Sequence, residues 1–414
     1  MKRPSLRFFC QIFISITLLY IFFVLIINGG LFGQSSRSYY NHLLEAFFHS
    51  RLDLVSEINH DLSFFGNKWY LYWGPAPVLF ILPFYLFTRL NTSDVFYTVM
   101  AGLVNIFVFY FVIEEFSEFF RLKSRRLSQY LILLSFSFAS PNFYLSLGGR
   151  VWHTYQVIAI FYLLLFLFFY FKFLNRQDRL SFFALSVLFV NLAWLSRYTL
   201  IFNLFFLSYP LYLLFKNNRI MFRKALFIFF GLTICFVMIF VSYNYLRFGD
   251  PLETGWRYQV GSERYSPYFK TGKLLSTDFI YHNFTYYFLN HLPVSLERPY
   301  LRIDPEGNSV FSVYPILLFL FALFRMKILK EKKTSLFLKV TGLVVGLNLL
   351  LLMLNIGTGW VQFGNRYFFD VIPILFLLVL LVIEEIPTLI QLLALIYGFL
   401  INILGALLFY QIKI

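Results

Sequence analysis

The chain has 414 residues, 59% of them hydrophobic and 13% charged, and a mean hydropathy of +0.71. Soluble domains run near 45–50% apolar and about 25% charged, so a soluble globular fold is excluded. The formal charge of +15 does not call for a nucleic-acid partner, because basic residues of membrane proteins gather in cytoplasmic loops.

Apolar runs of roughly 18–25 residues recur along the whole length, enough for each to cross a bilayer as a helix. They are continuous and do not alternate, which excludes an outer-membrane barrel. The expected class is an all-α polytopic membrane protein forming a single transmembrane domain, 1–414. The first run, 8–28, follows MKRPSLR and lacks a small-x-small cleavage site, so it reads as an uncleaved first span.

Residues 34–77 are the first long polar interruption, and they hold Glu45, Asp53, Glu57, Asp61, His42, His49 and His60. Within them Tyr39, Leu43, Leu44, Phe47 and Phe48 recur at helical spacing, with Asn41, His42, Glu45 and His49 largely opposite. This pattern predicts an amphipathic surface helix over 38–50. The next segment, 75–90, is short and broken by Pro75, Pro77 and Pro83. Further spans are expected at 95–119, 129–147, 152–174, 181–196, 199–215, 225–246, 310–325, 338–356, 366–384 and 388–410. A second polar loop occupies 247–309.

Basic clusters near residues 2–7, 121–126, 172–179, 216–224 and 325–339 all fall on one side if 75–90 dips into the membrane without crossing. That side then carries 20 Lys and Arg against 7 acids, and the other side 15 against 13. The positive-inside rule therefore favours about eleven spans plus one dipping segment, a cytoplasmic N-terminus and two large extracytoplasmic loops. Cys10 and Cys235 lie inside apolar runs, and no disulfide is expected.

The chemistry is expected on the extracytoplasmic side. Asp61, and after it Asp53, could serve as general base toward an acceptor hydroxyl, although aspartate is also common where turns begin. Arg150 follows Gly148-Gly149, Arg366 follows Gly364-Asn365, and Arg197 sits in a short outer turn. Guanidinium groups at such places suit a lipid-linked phosphate through charge-assisted bidentate bonds. The competing roles are interfacial snorkelling or, for Arg366, an ion pair with Asp370 one turn on. Tyr40, Trp69, Trp73 and Tyr258, with His153, are candidates for contact with a sugar. The aromatics serve equally well as an interfacial belt. No histidine pair has metal-ligand spacing with a carboxylate, so no metal site is expected, and divalent-metal dependence stays open. The sequence has no nucleotide-binding motif, so an extracytoplasmic transferase of this kind would draw on a donor already in the membrane, a polyprenyl-phosphate sugar. No other cofactor is expected.

Three segments carry a family resemblance: HDLSFFGNKWYLYWGPAPVLFILPF (60–84), YNYLRFGDPLETGWRYQ (243–259) and GWVQFGNRYFFDVIPIL (359–375). With the helix pattern they resemble the GT-C superfamily of polytopic glycosyltransferases, including protein mannosyltransferases and aminoarabinose transferases. The resemblance implies a lipid-phosphate sugar donor, inversion at the anomeric carbon, an acid in the first outer loop as base, and a glycan, lipid or protein acceptor at a bacterial inner membrane. Many members carry that acid within a few residues of the first span, whereas 29–38 (GGLFGQSSRS) has none. This leaves Asp61, Asp53 or an inactive chain as alternatives. Two other functions remain open. An O-antigen-type ligase or polymerase would work through Arg257, Arg264, His282 and His291 of the late loop. A lipid or solute transporter is disfavoured by the absence of an inverted repeat and the scarcity of intramembrane charge.

Overall fold

The computed structural model describes residues 6–57, 59–122, 125–261, 265–297, 300–325 and 332–411. In chain order its helices are α1 (Leu6–Asn28), α2 (Tyr39–Phe48), α3 (Pro77–Thr88), α4 (Asp94–Phe120), α5 (Arg126–Phe138), α6 (Pro141–Ser146), α7 (Val151–Asn175) and α8 (Leu180–Ser196). They continue as α9 (Ser208–Asn217), α10 (Arg219–Phe248), α11 (Ser266–Thr271), α12 (Ile280–Phe284), α13 (Val310–Val313), α14 (Lys332–Leu354), α15 (Ile372–Val382) and α16 (Thr388–Phe409). Among the described residues, seven helical stretches are long and apolar enough to cross a bilayer: Phe8–Asn28, Asp94–Phe120, Val151–Asn175, Tyr198–Asn217, Arg219–Phe248, Thr334–Leu354 and Thr388–Phe409. Three shorter apolar helices accompany them: Pro77–Asn91, Leu180–Ser196 and Pro315–Phe324. The protein is a multi-pass membrane protein, with fewer uninterrupted long helices than the eleven apolar runs suggest.

Proline makes much of the difference. The run 129–147 splits between α5 and α6 where Ser140 caps Pro141, its Oγ accepting from the Asn142 N–H at 3.1 Å. The run 310–325 changes from α13 to a tighter 3₁₀ helix at Pro315. The run 366–384 opens as a 3₁₀ turn, Arg366–Asp370, and becomes regular only in α15, with Pro373 in its first turn. Proline lacks the N–H that a helix interior needs but fits a helix's first turn, so each break falls beside one.

Helices α4 and α7 form the centre and are mostly buried. Helix α10 lies at the other extreme: its buried residues are Ala225 near one end and Tyr243, Asn244, Arg247 and Phe248 at the other. Between them Phe227, Phe230, Ile234, Met238 and Ile239 are exposed, as suits a helix bathed in lipid. Cys10 and Cys235 are free, and both face outward.

Segment 75–90 stays beside the surface helix. The Tyr40 hydroxyl donates to the Gly74 carbonyl at 3.1 Å before α3 begins, Tyr85 within α3 bonds Glu45, and Asn41 donates to the Thr92 carbonyl at 2.7 Å after α3 ends. At 12 residues, α3 is about 18 Å long, short of a hydrocarbon core of about 30 Å. The chain then descends through α4, and the turn after it meets the late chain: Arg125 Nε lies 3.7 Å from Glu384.

The two polar loops form one layer. Strands β1 (Leu62–Phe65), β2 (Lys68–Tyr70) and β3 (Gln259–Val260) make an antiparallel sheet in the order β2-β1-β3. Ser63 pairs with Tyr70 on one side and with Gln259 on the other. The β1–β2 hairpin turns on Gly66 and Asn67, both at positive φ (56° and 59°), the two-residue connection whose twist matches that of the strands. Residues 34–77 and 247–309, treated separately above, thus share a sheet directly over the helix ends.

Candidate active site

Beneath this layer lies a cavity of about 380 Å³. Its polar lining comes from both loops and from three helix junctions: Arg37, His60, Asp61, Tyr72, Arg150, Gln259 and Arg366. A second cavity of about 270 Å³ adjoins it and shares Tyr72, Trp73, Tyr155, Trp256, Asn355 and Tyr367. Leu274, Leu275, Leu351 and Leu352 line one part of that lower chamber, and Ser196, Arg197, Thr199 and Thr254 another. The arrangement is a charged chamber above an apolar one, joined at an aromatic waist.

Asp61 is held by the sheet. Its N–H donates to the Val260 carbonyl at 2.8 Å, and its φ is +65°. A non-glycine residue adopts this region at a cost and persists there only when its surroundings enforce it. The carboxylate accepts from Gln259 Nε2 at 2.8 Å and lies 3.1 Å from His60 Nδ1. Gln259 Nε2 also reaches the Tyr72 hydroxyl at 3.0 Å. Burial raises the Tyr72 hydroxyl well above its ordinary pKa, with Asp61 adding to the effect. Tyr72 is therefore a neutral group in the cavity wall. Close approach of β3 requires glycine next: a Cβ on Gly261, at φ +146°, would stand 2.9 Å from the Asp61 nitrogen.

Three arginines line the same chamber as Asp61. Arg37 lies 4.6 Å over the Trp152 ring, and its Nε is buried with no hydrogen-bond partner among the described residues. Arg150 caps α7 and lies 5.8 Å from the ring centres of both Phe409 and Tyr410 at the end of α16. Arg366 is only 8% exposed. Its Nη2 donates to the Gly359 carbonyl, while Nε and Nη1 have no partner among the described residues. Buried donors are normally paired, so two free N–H directions on a buried cation in a cavity wall mark a place built for an anion.

The ion pair expected between Arg366 and Asp370 does not form. Asp370 instead accepts from Arg197 Nε at 2.6 Å and from the Thr199 hydroxyl at 2.6 Å. The reason is the 3₁₀ geometry of 366–370. At three residues per turn, positions i and i+4 are displaced by roughly 120° and no longer share a face. Arg197, also bonded to the Tyr155 hydroxyl, is neutralised and borders the lower chamber, whereas Arg366 stays free.

The remaining expected residues scatter. Trp73 lines both chambers. Asp53 is paired with Lys68 at 3.3 Å and Arg51 at 3.8 Å and does not line either chamber. Tyr40 is buried on the Gly74 carbonyl. Trp69 packs on Phe64 within the hairpin, and Tyr258 packs between Phe65 and Phe248. His153 is fully buried, with Nδ1 3.3 Å from the Tyr410 hydroxyl. Of the late-loop residues, Arg257 pairs with Glu253 at 3.7 Å and His282 with Glu306 at 3.5 Å; Arg264 lies outside the described residues. No group of three or more His, Cys, Asp or Glu side chains among the described residues is placed to hold a metal ion. Sequence reasoning missed Arg37, Tyr72, Tyr155, Gln259 and Tyr367. The one available signal was Arg37, the sole charge within 29–38.

No protein-family model and no curated protein sequence matches the chain. Solved structures do. The structure of ArnT from Cupriavidus metallidurans bound to undecaprenyl phosphate superposes with a TM-score of 0.51 at 13% identity, over 94% of this chain and 63% of that one. The oligosaccharyltransferase of Archaeoglobus fulgidus in its apo form gives 0.51 at 11% identity, over 95% of this chain and 56% of that one. AglB, the archaeal oligosaccharyltransferase of the same organism in complex with an inhibitory peptide and a dolichol-phosphate, gives 0.51 at 13% identity, over 97% and 56%. The chain shares the fold of these three structures. It spans a little over half to 63% of the length of these proteins.

Proposed function

We propose that the protein is a glycosyltransferase that moves a sugar from a polyprenyl-phosphate carrier to an acceptor hydroxyl on a glycan, lipid or protein. It would act at the extracytoplasmic face of a bacterial inner membrane, with its N-terminus in the cytoplasm. The observation that carries this is Arg366, buried in the cavity wall with Nε and Nη1 unpartnered and its neighbour Asp370 already claimed by Arg197. Arg37 and Arg150 border the same chamber, and two of the structures sharing the fold hold polyprenyl or dolichol phosphate.

In this mechanism the phosphate lies among Arg37, Arg150 and Arg366, its lipid chain runs into the lower chamber, and the sugar lies toward Asp61. The acceptor oxygen attacks the anomeric carbon from the face opposite the phosphate. Its proton passes to the Asp61 carboxylate. The bond between the anomeric carbon and the phosphate oxygen breaks, and its electron pair leaves on the phosphate. The products are an inverted glycoside and polyprenyl phosphate, whose added negative charge the three guanidinium groups stabilise. Gln259, His60 and the sheet hold Asp61 in position.

The test uses cells lacking the gene, complemented with wild type or Asp61→Asn, and the masses of their surface glycans and lipid-linked sugars. The expected result is loss of a single-sugar mass with accumulation of a polyprenyl-phosphate sugar, reversed by the wild type alone. Full restoration by Asp61→Asn, or whole repeat units stranded on carrier lipid, would overturn the proposal.

A further inference from the structure

Asp94 borders neither chamber, yet it is fully buried and has no lysine or arginine partner among the described residues. It begins α4, and both oxygens of its carboxyl group accept from one residue of the first loop. Ser35 donates its backbone N–H to Oδ1 at 2.8 Å and its hydroxyl to Oδ2. Two cationic groups of the chamber depend on this contact. Ser35 Oγ accepts from the Arg37 N–H at 3.2 Å, which sets the start of the Arg37 side chain. The same Oγ lies 3.3 Å from the Gly149 carbonyl, the peptide that leads into Arg150. Gly149 itself lies so close to α4 that a Cβ there would be 2.6 Å from Asp94 Cγ. The Thr154 hydroxyl, bonded to Thr98 of α4 at 2.6 Å, reaches the Gly149 carbonyl from below at 3.3 Å.

From this geometry we infer that Asp94 is the positioning residue of the phosphate site: through Ser35 it fixes Arg37, and through the Gly149 turn it fixes Arg150. The inference rests on the phosphate-binding function proposed above. The first loop contributes no acid of its own near the first span, and a carboxylate from α4 reaches across to organise it. A buried carboxyl group that takes two hydrogen bonds from one serine holds that serine in place, because moving it would leave buried polar atoms without those partners.

The experiment uses the full chain in lipid nanodiscs, titrated with undecaprenyl phosphate. Binding is read by tryptophan fluorescence, since Trp73, Trp152, Trp256 and Trp360 line the chamber. Ser35→Ala and Asp94→Ala should each weaken binding about tenfold, the scale of a lost hydrogen bond to a charged group. Neither should bind more weakly than Arg37→Ala/Arg150→Ala, and adding Asp94→Ala to Arg37→Ala/Arg150→Ala should weaken binding no further. Ser35→Thr, which keeps the hydroxyl, should recover most of the affinity. Wild-type affinity in Ser35→Ala, or a further loss when Asp94→Ala is added to Arg37→Ala/Arg150→Ala, would overturn the inference. A lower melting temperature with unchanged affinity would overturn it too. Should Asp94→Ala fail to fold, Ser35→Ala carries the test. If the wild type itself does not bind undecaprenyl phosphate, the donor proposal fails, and hydrogen exchange at residues 35–37 then decides the clamp. Faster exchange in Ser35→Ala sustains it, and unchanged exchange sinks it.

Discussion

Replacing Arg197 and Arg366 by methionine separates two arginines that look equivalent in sequence. Both are nearly buried, at 6% and 8% exposure, and methionine keeps much of the aliphatic volume of each. Arg197 neutralises Asp370 at 2.6 Å. Arg197→Met therefore leaves a carboxylate of 2% exposure with only Thr199 for company, a change worth about 3–5 kcal/mol of stability. Arg366 has no carboxylate to abandon. Arg366→Met gives up one bond to the Gly359 carbonyl and removes two unpaired buried donors, so the two effects should nearly cancel. Affinity should move the other way. Losing charge-assisted bonds to a phosphate costs about 1.5–3 kcal/mol, a weakening of roughly ten- to 150-fold. Thermal unfolding in detergent and calorimetric titration with undecaprenyl phosphate measure the two quantities on the same preparations. The expected outcome is a crossed pattern: Arg197→Met melts earlier, and Arg366→Met binds more weakly at a near-normal melting temperature. If Arg366→Met melts as early as Arg197→Met and binds as the wild type does, Arg366 is a structural cation and the anion site is wrongly placed.

Asp61→Asn should lower transfer by about 10²–10⁴, the usual worth of a general base, while donor affinity stays within a few-fold of wild type; a parallel fall in both would make Asp61 a binding group. Gly74→Ala should fail to reach a stable fold, because its Cβ would stand 1.9 Å from the Leu195 carbonyl oxygen, a backbone atom with no room to yield. Gly30→Ala, with nothing within 4 Å, is its matched control, and equal melting curves for the two would contradict the packing of the first loop on α8. Leu352→Trp should crowd the lower chamber and weaken undecaprenyl phosphate while sparing a short-chain, water-soluble phosphate analogue; equal losses for both would show that the lower chamber does not hold the lipid chain.

The membrane class, a helix at Tyr39–Phe48 and Asp61 in a cavity were legible because each rests on a local pattern, though Asn41 of that helix's expected polar face is buried and Phe48 of its apolar face is exposed. Apolar runs, 3.6-residue periodicity and an aspartate before an aromatic strand can be read without knowing what lies opposite. The hairpin was legible too, in Phe65-Gly66-Asn67-Lys68, but aromatic density drew attention to stacking and away from the turn. What could not be read was pairing across the chain. Asp370 is four residues from Arg366 and 173 from Arg197, and sequence spacing favours the wrong partner unless the 3₁₀ form of 366–370 is known. Asp94 closes the last span boundary of the first outer region and reads as an ordinary helix-start acid. Its contact with Ser35 spans 59 residues. The apolar runs outnumber the seven long helices for a related reason: hydropathy registers proline-broken and intact runs alike.

The charge distribution around the two chambers narrows what can occupy them. Arg37, Arg150 and Arg366 border the upper chamber, with Asp61 the only carboxylate in its wall among the described residues, so the described wall carries an excess of positive charge beside a low-dielectric interior. The lower chamber has one cation, Arg197, and that one is cancelled by Asp370. A neutral polar ligand would leave the upper charges unanswered, and a soluble anion would leave the leucine-lined space below to water. A molecule with an anionic head and a long apolar tail satisfies both. The aromatic waist formed by Tyr72, Trp73, Tyr155, Trp256 and Tyr367 is then the point where head joins tail. Asp61 borders the upper chamber and is held at φ +65° by the bond from its N–H to Val260 of the second loop, so its place depends on both loops.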